Sequence, residues 1–158
     1  MKIGIIVAME KELRQLKKVL GNDPRFSLMQ CGIGKVNAAL GAQHLINEFR
    51  PDAIVSTGCA GGNGDDLQVQ DVVVSTEVCY HDVYCGTAID NTTQFGQVQG
   101  LPVRFKADPY LLSKSEELKE KYEKLSTLNW LNRHGRLVRG HPRENARNHR
   151  EFPRCACR

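Results

Sequence analysis

The apolar positions at the start of the chain change their spacing within the first twenty residues. Residues 2–8 form an almost unbroken apolar run, which predicts a strand buried on both faces of a sheet. Residues 10–20 then place leucines at helical spacing, with basic side chains on the opposite face. Gly21 and Pro24 follow, as is typical of a helix end. The segment therefore predicts a strand and then an amphipathic helix, whose apolar face consists of Leu13, Leu16 and Leu20.

A second strand and a second helix are predicted by the next segment. Residues 26–31 read as a strand, and residues 32–34 as a glycine-containing loop. The helix that follows ends before Pro51, because a residue that precedes proline disfavours the helical conformation. Its predicted apolar face consists of Val36, Ala39, Leu40, Gln43, Ile46 and Phe49. Two further apolar runs, residues 53–57 and 71–75, predict two more strands.

This alternation predicts an α/β fold with a mixed, mainly parallel central sheet flanked by helices. Ligands bind such sheets at the carboxyl ends of the strands, so the site is expected at residues 8–12, 31–35 and 58–64. Residues 79–108 predict a long loop with a short hairpin. A third helix is predicted from Pro109 to about residue 125. Its apolar face would consist of Leu111, Leu118, Tyr122 and Leu125.

Composition narrows the class of protein. The chain has 158 residues, of which 41% are hydrophobic and 25% are charged, as expected of one globular domain. No apolar run approaches the roughly 18 residues that span a bilayer, and no signal-peptide cleavage pattern follows the apolar start. The cysteines form no disulfide framework of a small secreted fold. We therefore expect a cytoplasmic protein without a membrane partner.

The charge is distributed unevenly along the chain. Residues 1–120 contain 12 basic and 15 acidic side chains, whereas residues 121–158 contain 10 and 3. This change predicts a boundary near residue 120, followed by an Arg-rich tail. A frameshifted segment and a disordered end are both open explanations of the tail. Because the tail contains no recognisable recognition helix, nucleic acid is not the expected partner.

Two motifs at the predicted strand ends have alternative interpretations. Residues 58–64 are rich in glycine but match neither the dinucleotide fingerprint nor the Walker pattern. Glycine there indicates a close approach of the backbone, either to a ligand or to a neighbouring strand. Glu10 and Glu12 begin the first predicted helix. Carboxylates at this place stabilise the helix dipole, and a carboxylate at the ligand end of a strand can also serve as a general base.

Metal and cofactor sites are not predicted. Cys155 and Cys157 lie near His141 and His149 in the sequence. Their C-x-C spacing matches no common structural zinc pattern. We therefore expect neither a metal ion nor a cofactor.

A series of short motifs in fixed order carries a family resemblance across residues 1–119. The motifs are residues 1–6, 8–10, 32–39, 57–62, 71–75, 80–82 and 105–108. Together they resemble the 5′-methylthioadenosine/S-adenosylhomocysteine nucleosidases of the nucleoside phosphorylase superfamily. The resemblance implies one α/β domain, a homodimer, a nucleoside substrate and hydrolysis of its N-glycosidic bond with release of adenine.

The resemblance also implies residue roles. Glu12 matches the glutamate that activates the attacking water and would be the catalytic residue. Residues that match positions around the water, the sugar and the base would bind substrate: Ala8, Met9, Ile33, Cys59, Ala60 and Gly61. The family often has serine where Cys59 stands, and a thiol is a weaker hydrogen-bonding group than a hydroxyl.

The sequence departs from the family pattern after residue 119. The family's leaving-group acid lies in its C-terminal part, but no Ser-Gly-Asp, Met-Glu or Ser-Asp segment follows residue 119 here. Residues 1–120 would then be the N-terminal part of a nucleoside phosphorylase-like domain that is incomplete at its C-terminus, with little or no turnover. The alternatives are a purine nucleoside phosphorylase and a non-catalytic nucleoside-binding protein.

Overall fold

The computed structural model describes residues 1–60, 68–80, 83, 94, 96–119 and 121, and the backbone of residues 125–128. The chain divides into two compact units, Met1–Ala60 and Gly61–Arg158. None of the described helices is long and apolar enough to cross a membrane. The elements of the first unit are β1 (Ile3–Val7), α1 (Glu10–Leu20), β2 (Phe26–Gln30), α2 (Lys35–Phe49) and β3 (Ala53–Ser56).

The first unit is a parallel three-stranded sheet with the strand order β2-β1-β3. In this register Ile3 pairs with Phe26 on one side and with Ala53 on the other. Each strand is joined to the next by one helix, as parallel pairing requires. The prediction of an α/β fold with a parallel central sheet is confirmed, and β1 to β3 lie within one residue or two of their predicted bounds.

The core of the first unit surrounds the central strand. Ile5, Ile6 and Val7 are buried, as predicted for a strand covered on both faces. Leu45 of α2 is buried against this strand, where its Cδ1 atom lies 3.1 Å from the position that a Cβ atom on Gly4 would occupy. Burial of each such aliphatic side chain stabilises the fold by about 1.5–3 kcal/mol.

The predicted apolar face of α2 was wrong. The structure buries Gly41 and Leu45, whereas Val36, Leu40 and Ile46 are exposed. The reason is close packing, because a Cβ atom on Gly41 would lie 2.5 Å from Cys31 Cβ. The helix therefore turns Gly41 towards the end of β2, and Val36, Leu40 and Ile46 face outwards.

The second unit contains two pairs of strands and one helix. Its elements are β4 (Val72–Ser75), β5 (Glu77–Val78), β6 (Phe105–Lys106), α3 (Pro109–Lys119) and β7 (Leu125–Leu128). Strand β4 pairs with β7 in parallel, and β5 pairs with β6 antiparallel. Strand β6 lies within the segment, residues 79–108, for which a long loop with a short hairpin was predicted; residues 81, 82, 84–93 and 95 of that segment lie outside the described residues.

The predicted extent of α3 was also wrong. The helix ends at Lys119, and residues 125–128 are extended because each pairs with a residue of β4. Ser115 is its buried residue, whereas Leu118 is exposed. Tyr122, which was placed on the predicted helical face, lies outside the described residues. The predicted boundary near residue 120 is not tested, because most of the tail also lies there.

Candidate functional site

The candidate site lies at the carboxyl ends of the three parallel strands of the first unit. Strand β1 leads into Ala8 and Met9, β2 into Cys31, and β3 into Thr57. Because the strands are parallel and adjacent, these ends meet at one edge of the sheet. The three connections that the sequence marked as candidates are therefore neighbours in space.

The side chain of Glu12 joins two of these strand ends. Its Oε2 atom accepts hydrogen bonds from the backbone N–H groups of Ala8, at 3.1 Å, and Met9, at 2.9 Å. Its Oε1 atom accepts a third hydrogen bond from the backbone N–H of Cys59, at 2.8 Å. Met9 is the N-cap residue of α1, so one of the orphan amides of the helix start is satisfied in the same way. All three partners that the structure describes for this carboxylate are backbone amides.

These hydrogen bonds determine the electrostatics of the carboxylate. The amides of Cys59 and Met9 lower the pKa of Glu12 below its ordinary value of 4.5, while partial burial opposes the shift and Ala8 adds a smaller lowering. Hydrogen bonds donated to an ionised carboxylate favour its charged form. Glu12 is therefore ionised at neutral pH, as a group that must accept a proton from water requires.

The glycine-rich segment after β3 has a partner that neither sequence interpretation named. The backbone at Gly58 approaches the Glu12 carboxylate so closely that a Cβ atom there would lie 2.6 Å from Oε1. The close approach is thus to a side chain of the same unit.

The connection after β2 is held separately from Glu12. The Asn37 side-chain amide donates a hydrogen bond to the backbone oxygen of Ile33, at 2.7 Å. Gly32 and Gly34 flank Ile33 with φ values of 91° and 101°, in the left-handed region that favours glycine. Ile33 is consequently held with 74% of its surface exposed. Asn37 was not predicted as a site residue, although an Asn three residues after the glycine loop was a usable signal.

The other predicted site residues fall into two groups. Ala8, Met9 and Cys59 are brought together around Glu12 through their backbone amides. Cys59 is exposed and its thiol is free, and Ala60 is the exposed residue that follows. Gly61 lies outside the described residues, as does the His81-Asp82 pair of the sequence motif. Within the described part of the chain, no group of three or more His, Cys, Asp or Glu side chains could hold a metal ion.

Comparison with known proteins places the chain in a family. The family described as the Phosphorylase superfamily matches residues 2–140 of the chain. The match extends beyond residue 119, where the resemblance read from the sequence ends. It includes residues 125–128, which form β7.

The chain is similar to curated proteins named 5′-methylthioadenosine/S-adenosylhomocysteine nucleosidase. The protein from Bacillus velezensis is 40% identical over 74% of this chain and 57% of the relative. The protein from an Exiguobacterium species is 41% identical over 76% of this chain and 58% of the relative. The chain therefore spans less than two thirds of the length of these relatives.

Solved structures of proteins with the same name are also similar. The Neisseria meningitidis nucleosidase in complex with methylthio-immucillin-A superposes with a TM-score of 0.70 and 34% identity, covering 80% of this chain and 61% of that one. The S. pneumoniae nucleosidase with the transition-state inhibitor MT-ImmA gives a TM-score of 0.72 and 31% identity, covering 80% and 62%.

Proposed function

Because the chain belongs to the phosphorylase superfamily, we propose that it hydrolyses the N-glycosidic bond of 5′-methylthioadenosine and S-adenosylhomocysteine, releasing adenine. The observation that carries this proposal is the Glu12 carboxylate, held ionised by three backbone amides at the carboxyl end of β1. The names of the relatives and the nucleoside-analogue inhibitor in the Neisseria structure support the choice of substrate.

Glu12 has the properties of a base for water. Glycosidic cleavage passes through an oxocarbenium-like sugar, and water attacks its anomeric carbon as the bond to the purine breaks. The attacking water adds its oxygen to the anomeric carbon and transfers a proton to the carboxylate, which then releases it to solvent. The departing purine takes up a proton from solvent, so that one water is consumed and adenine is released. Oε1 accepts one backbone hydrogen bond, whereas a carboxylate oxygen has about two lone-pair sites, so a water molecule can still bind there.

The remaining site residues would surround the substrate. Ala8, Met9 and Ile33 are proposed to border the water and the sugar, since they lie at the ends of β1 and β2. Cys59, Ala60 and Gly61 are proposed to line the ribose and the base. At Cys59 the backbone N–H is already bonded to Glu12, so the weakly hydrogen-bonding thiol is the group left for the substrate.

We expect slow turnover from this chain. No Ser-Gly-Asp or Ser-Asp segment of the kind that provides the leaving-group acid follows residue 119. General acid catalysis is typically worth about 10²–10⁴-fold, so the rate should fall by that factor when a purine leaves unaided. Binding of the nucleoside must therefore be measured separately from its cleavage.

The two alternatives make different demands on the site. A phosphorylase would bring phosphate to the position of the water, and the ionised Glu12 would repel it. A non-catalytic nucleoside-binding protein would need the pocket but not the base. Neither alternative explains why a charged carboxylate is held at the strand ends, and we therefore favour hydrolysis.

The test is adenine release from methylthioadenosine by the 158-residue chain, with phosphate omitted or added. Hydrolysis predicts release without phosphate, and Glu12→Gln abolishes this release while nucleoside binding persists. Release that requires phosphate would identify a phosphorylase. Binding without release in either buffer would identify a binding protein. A folded chain that neither binds nor cleaves the nucleoside would contradict the proposal.

The proposed partner is a second copy of the chain. Two exposed apolar side chains on α2 support it, because Val36 and Leu40 lie four residues apart on the same face of the helix and are 75% and 65% exposed. Sedimentation velocity should give the mass of a dimer, and Leu40→Glu should give the monomer. Val19→Glu is the matched control, since Val19 is exposed on α1. A monomeric unmodified chain would contradict the proposal.

A cytoplasmic location is part of the same proposal. Cys31 and Cys59 are free thiols, as is usual in a reducing compartment. Cell fractionation with an antibody against the chain would test this location.

A further inference from the structure

We propose that Gly58 is a positioning residue for Glu12. The absence of a side chain at Gly58 allows Oε1 to reach the backbone N–H of Cys59 and keeps the second acceptor site of that oxygen open. The inference concerns how the base is held, and its role in catalysis rests on the proposed hydrolysis.

The Glu12 carboxylate occupies the space that a side chain at residue 58 would need. A Cβ atom on Gly58 would lie 2.6 Å from Oε1, 3.0 Å from Cδ and 3.2 Å from Oε2 of Glu12. Carbon and oxygen atoms that are not bonded do not approach to 2.6 Å without displacement. Alanine at this position would therefore push the carboxylate away from its place. The whole end of the Glu12 side chain faces this one backbone position.

The two carboxylate oxygens are not equivalent in this arrangement. Oε2 accepts hydrogen bonds from two backbone amides, Ala8 and Met9, and so uses its acceptor capacity. Oε1 accepts one hydrogen bond, from Cys59, and is the oxygen closest to the missing side chain of Gly58. Oε1 is therefore the oxygen that can take the proton from water. A methyl group at residue 58 would remove this oxygen from its position.

The requirement for glycine at residue 58 is not a matter of backbone conformation. The structure's positive-φ glycines do not include Gly58, so alanine is compatible with the backbone there. The atoms that a Cβ would meet belong to the end of a flexible side chain, which can rotate away. Gly58→Ala should therefore fold and should act on the position of Glu12.

The experiment follows the Cys59 amide by NMR in the full chain as pH is lowered. In the unmodified chain its proton shift should change as Glu12 takes up a proton. In Gly58→Ala that change should be lost, because Oε1 no longer reaches this amide. If the chain is an active hydrolase, kcat should also fall, by as much as about 10²-fold for a displacement near 1 Å, with little effect on KM.

The same contact can be tested by measuring urea unfolding in two backgrounds, the unmodified chain and Glu12→Ala. Gly58→Ala should lower the urea midpoint when Glu12 is present and leave it unchanged in Glu12→Ala. If Gly58→Ala alone fails to fold, folding of the Gly58→Ala/Glu12→Ala double variant supports the inference, and failure of both overturns it.

The inference fails independently of the proposed function. A Cys59 amide that titrates unchanged in Gly58→Ala would overturn it, as would an equal loss of midpoint in the two backgrounds. A chain that releases no adenine but loses the Cys59 response in Gly58→Ala would contradict the proposed function and leave the positioning role intact.

Discussion

The two units each hold a partly buried glutamate, and they do so by different means. In the first unit, Glu12 is held by three backbone amides and by no cation among its described partners. In the second unit, Glu77 of β5 forms an ion pair with Arg104, which precedes β6. The Glu77 side chain is 13% exposed and that of Arg104 is 25% exposed. No cation is among the described partners of the Glu12 carboxylate, whereas the Glu77 carboxylate is paired with the Arg104 guanidinium.

This difference distinguishes the carboxylate that we propose as the base from one that joins two strands. Backbone amides orient a carboxylate and favour its ionised form, yet they carry no net charge of their own. A guanidinium donates a charge-assisted hydrogen bond to a carboxylate and offsets its charge, as Arg104 Nη1 does to Glu77 Oε1. The proposed role of Glu12 is therefore to accept a proton from a water molecule. Glu77 instead forms an ion pair that joins two short strands.

The largest expected difference between the two glutamates is in their effect on catalysis. Glu12→Gln should lower adenine release by about 10²–10⁴-fold, because the amide cannot accept a proton from water. Glu77→Gln is the matched control and should lower it less than about tenfold once the folded fraction is corrected. Rates per folded molecule measure both. Equal losses in the two variants would break the distinction between the carboxylates.

The next effect is on stability in the second unit. Arg104→Met leaves the Glu77 carboxylate partly buried without its guanidinium and should lower the free energy of unfolding by about 1–3 kcal/mol. Arg14→Met removes the exposed Glu10–Arg14 ion pair and should cost about 0.5 kcal/mol or less. Urea unfolding measures both variants. A cost for Arg104→Met as small as for Arg14→Met would show that the Glu77 pair is not structural.

A smaller effect is the pH dependence that Glu12 contributes. The pKa of Glu12 is lower in the folded chain than its ordinary value of 4.5, chiefly through the Cys59 amide, so its contribution to stability is present above pH 4.5. It should be lost as the pH falls through the folded pKa. Unfolding at pH 6 and pH 3 should therefore differ less in Glu12→Gln than in the unmodified chain. An unchanged difference would contradict the role of the amides.

The smallest expected effect is at the connection after β2, where the described hydrogen bond between Asn37 and Ile33 is neutral. Asn37→Ala removes the neutral hydrogen bond to Ile33 and should cost about 0.5–1 kcal/mol. This cost should not depend on pH between 4 and 7, in contrast to that of Glu12→Gln. Asn37→Asp, which replaces the donating amide with an acceptor, should cost at least as much. A cost that titrates would indicate a charged partner for the loop.

The sequence predicted the first unit well because its structure is local. The apolar run of β1 and the capped, leucine-spaced α1 each depend on residues within one segment. The buried face of α2 was not predicted, because the packing of Gly41 against Cys31 joins two elements. Strand β7 was missed for the same reason, since its extended backbone follows from pairing with β4 far earlier in the chain.

The sequence identified two parts of the candidate site but not the contact between them. Glu12 and the loop after β3 were each identified, but the hydrogen bond between Glu12 and Cys59 joins residues 47 positions apart. Spacing along the sequence carries no trace of such a contact. The glycine-rich segment at residues 58–64 signalled that something lies close to the backbone, and the structure identifies Glu12 as the neighbour of Gly58.

The most direct test of the account is the titration of the Glu12 side-chain carboxyl carbon by NMR, assigned by comparison with Glu12→Gln. We predict that the midpoint of the Glu12 titration lies below 4.5 and that the amide signals of Cys59 and Met9 change with the same midpoint. A midpoint at or above 4.5, with no linked change at these amides, would contradict it. Glu12 would then be an ordinary helix-start carboxylate, without the backbone amide contacts that are proposed to hold it at the strand ends.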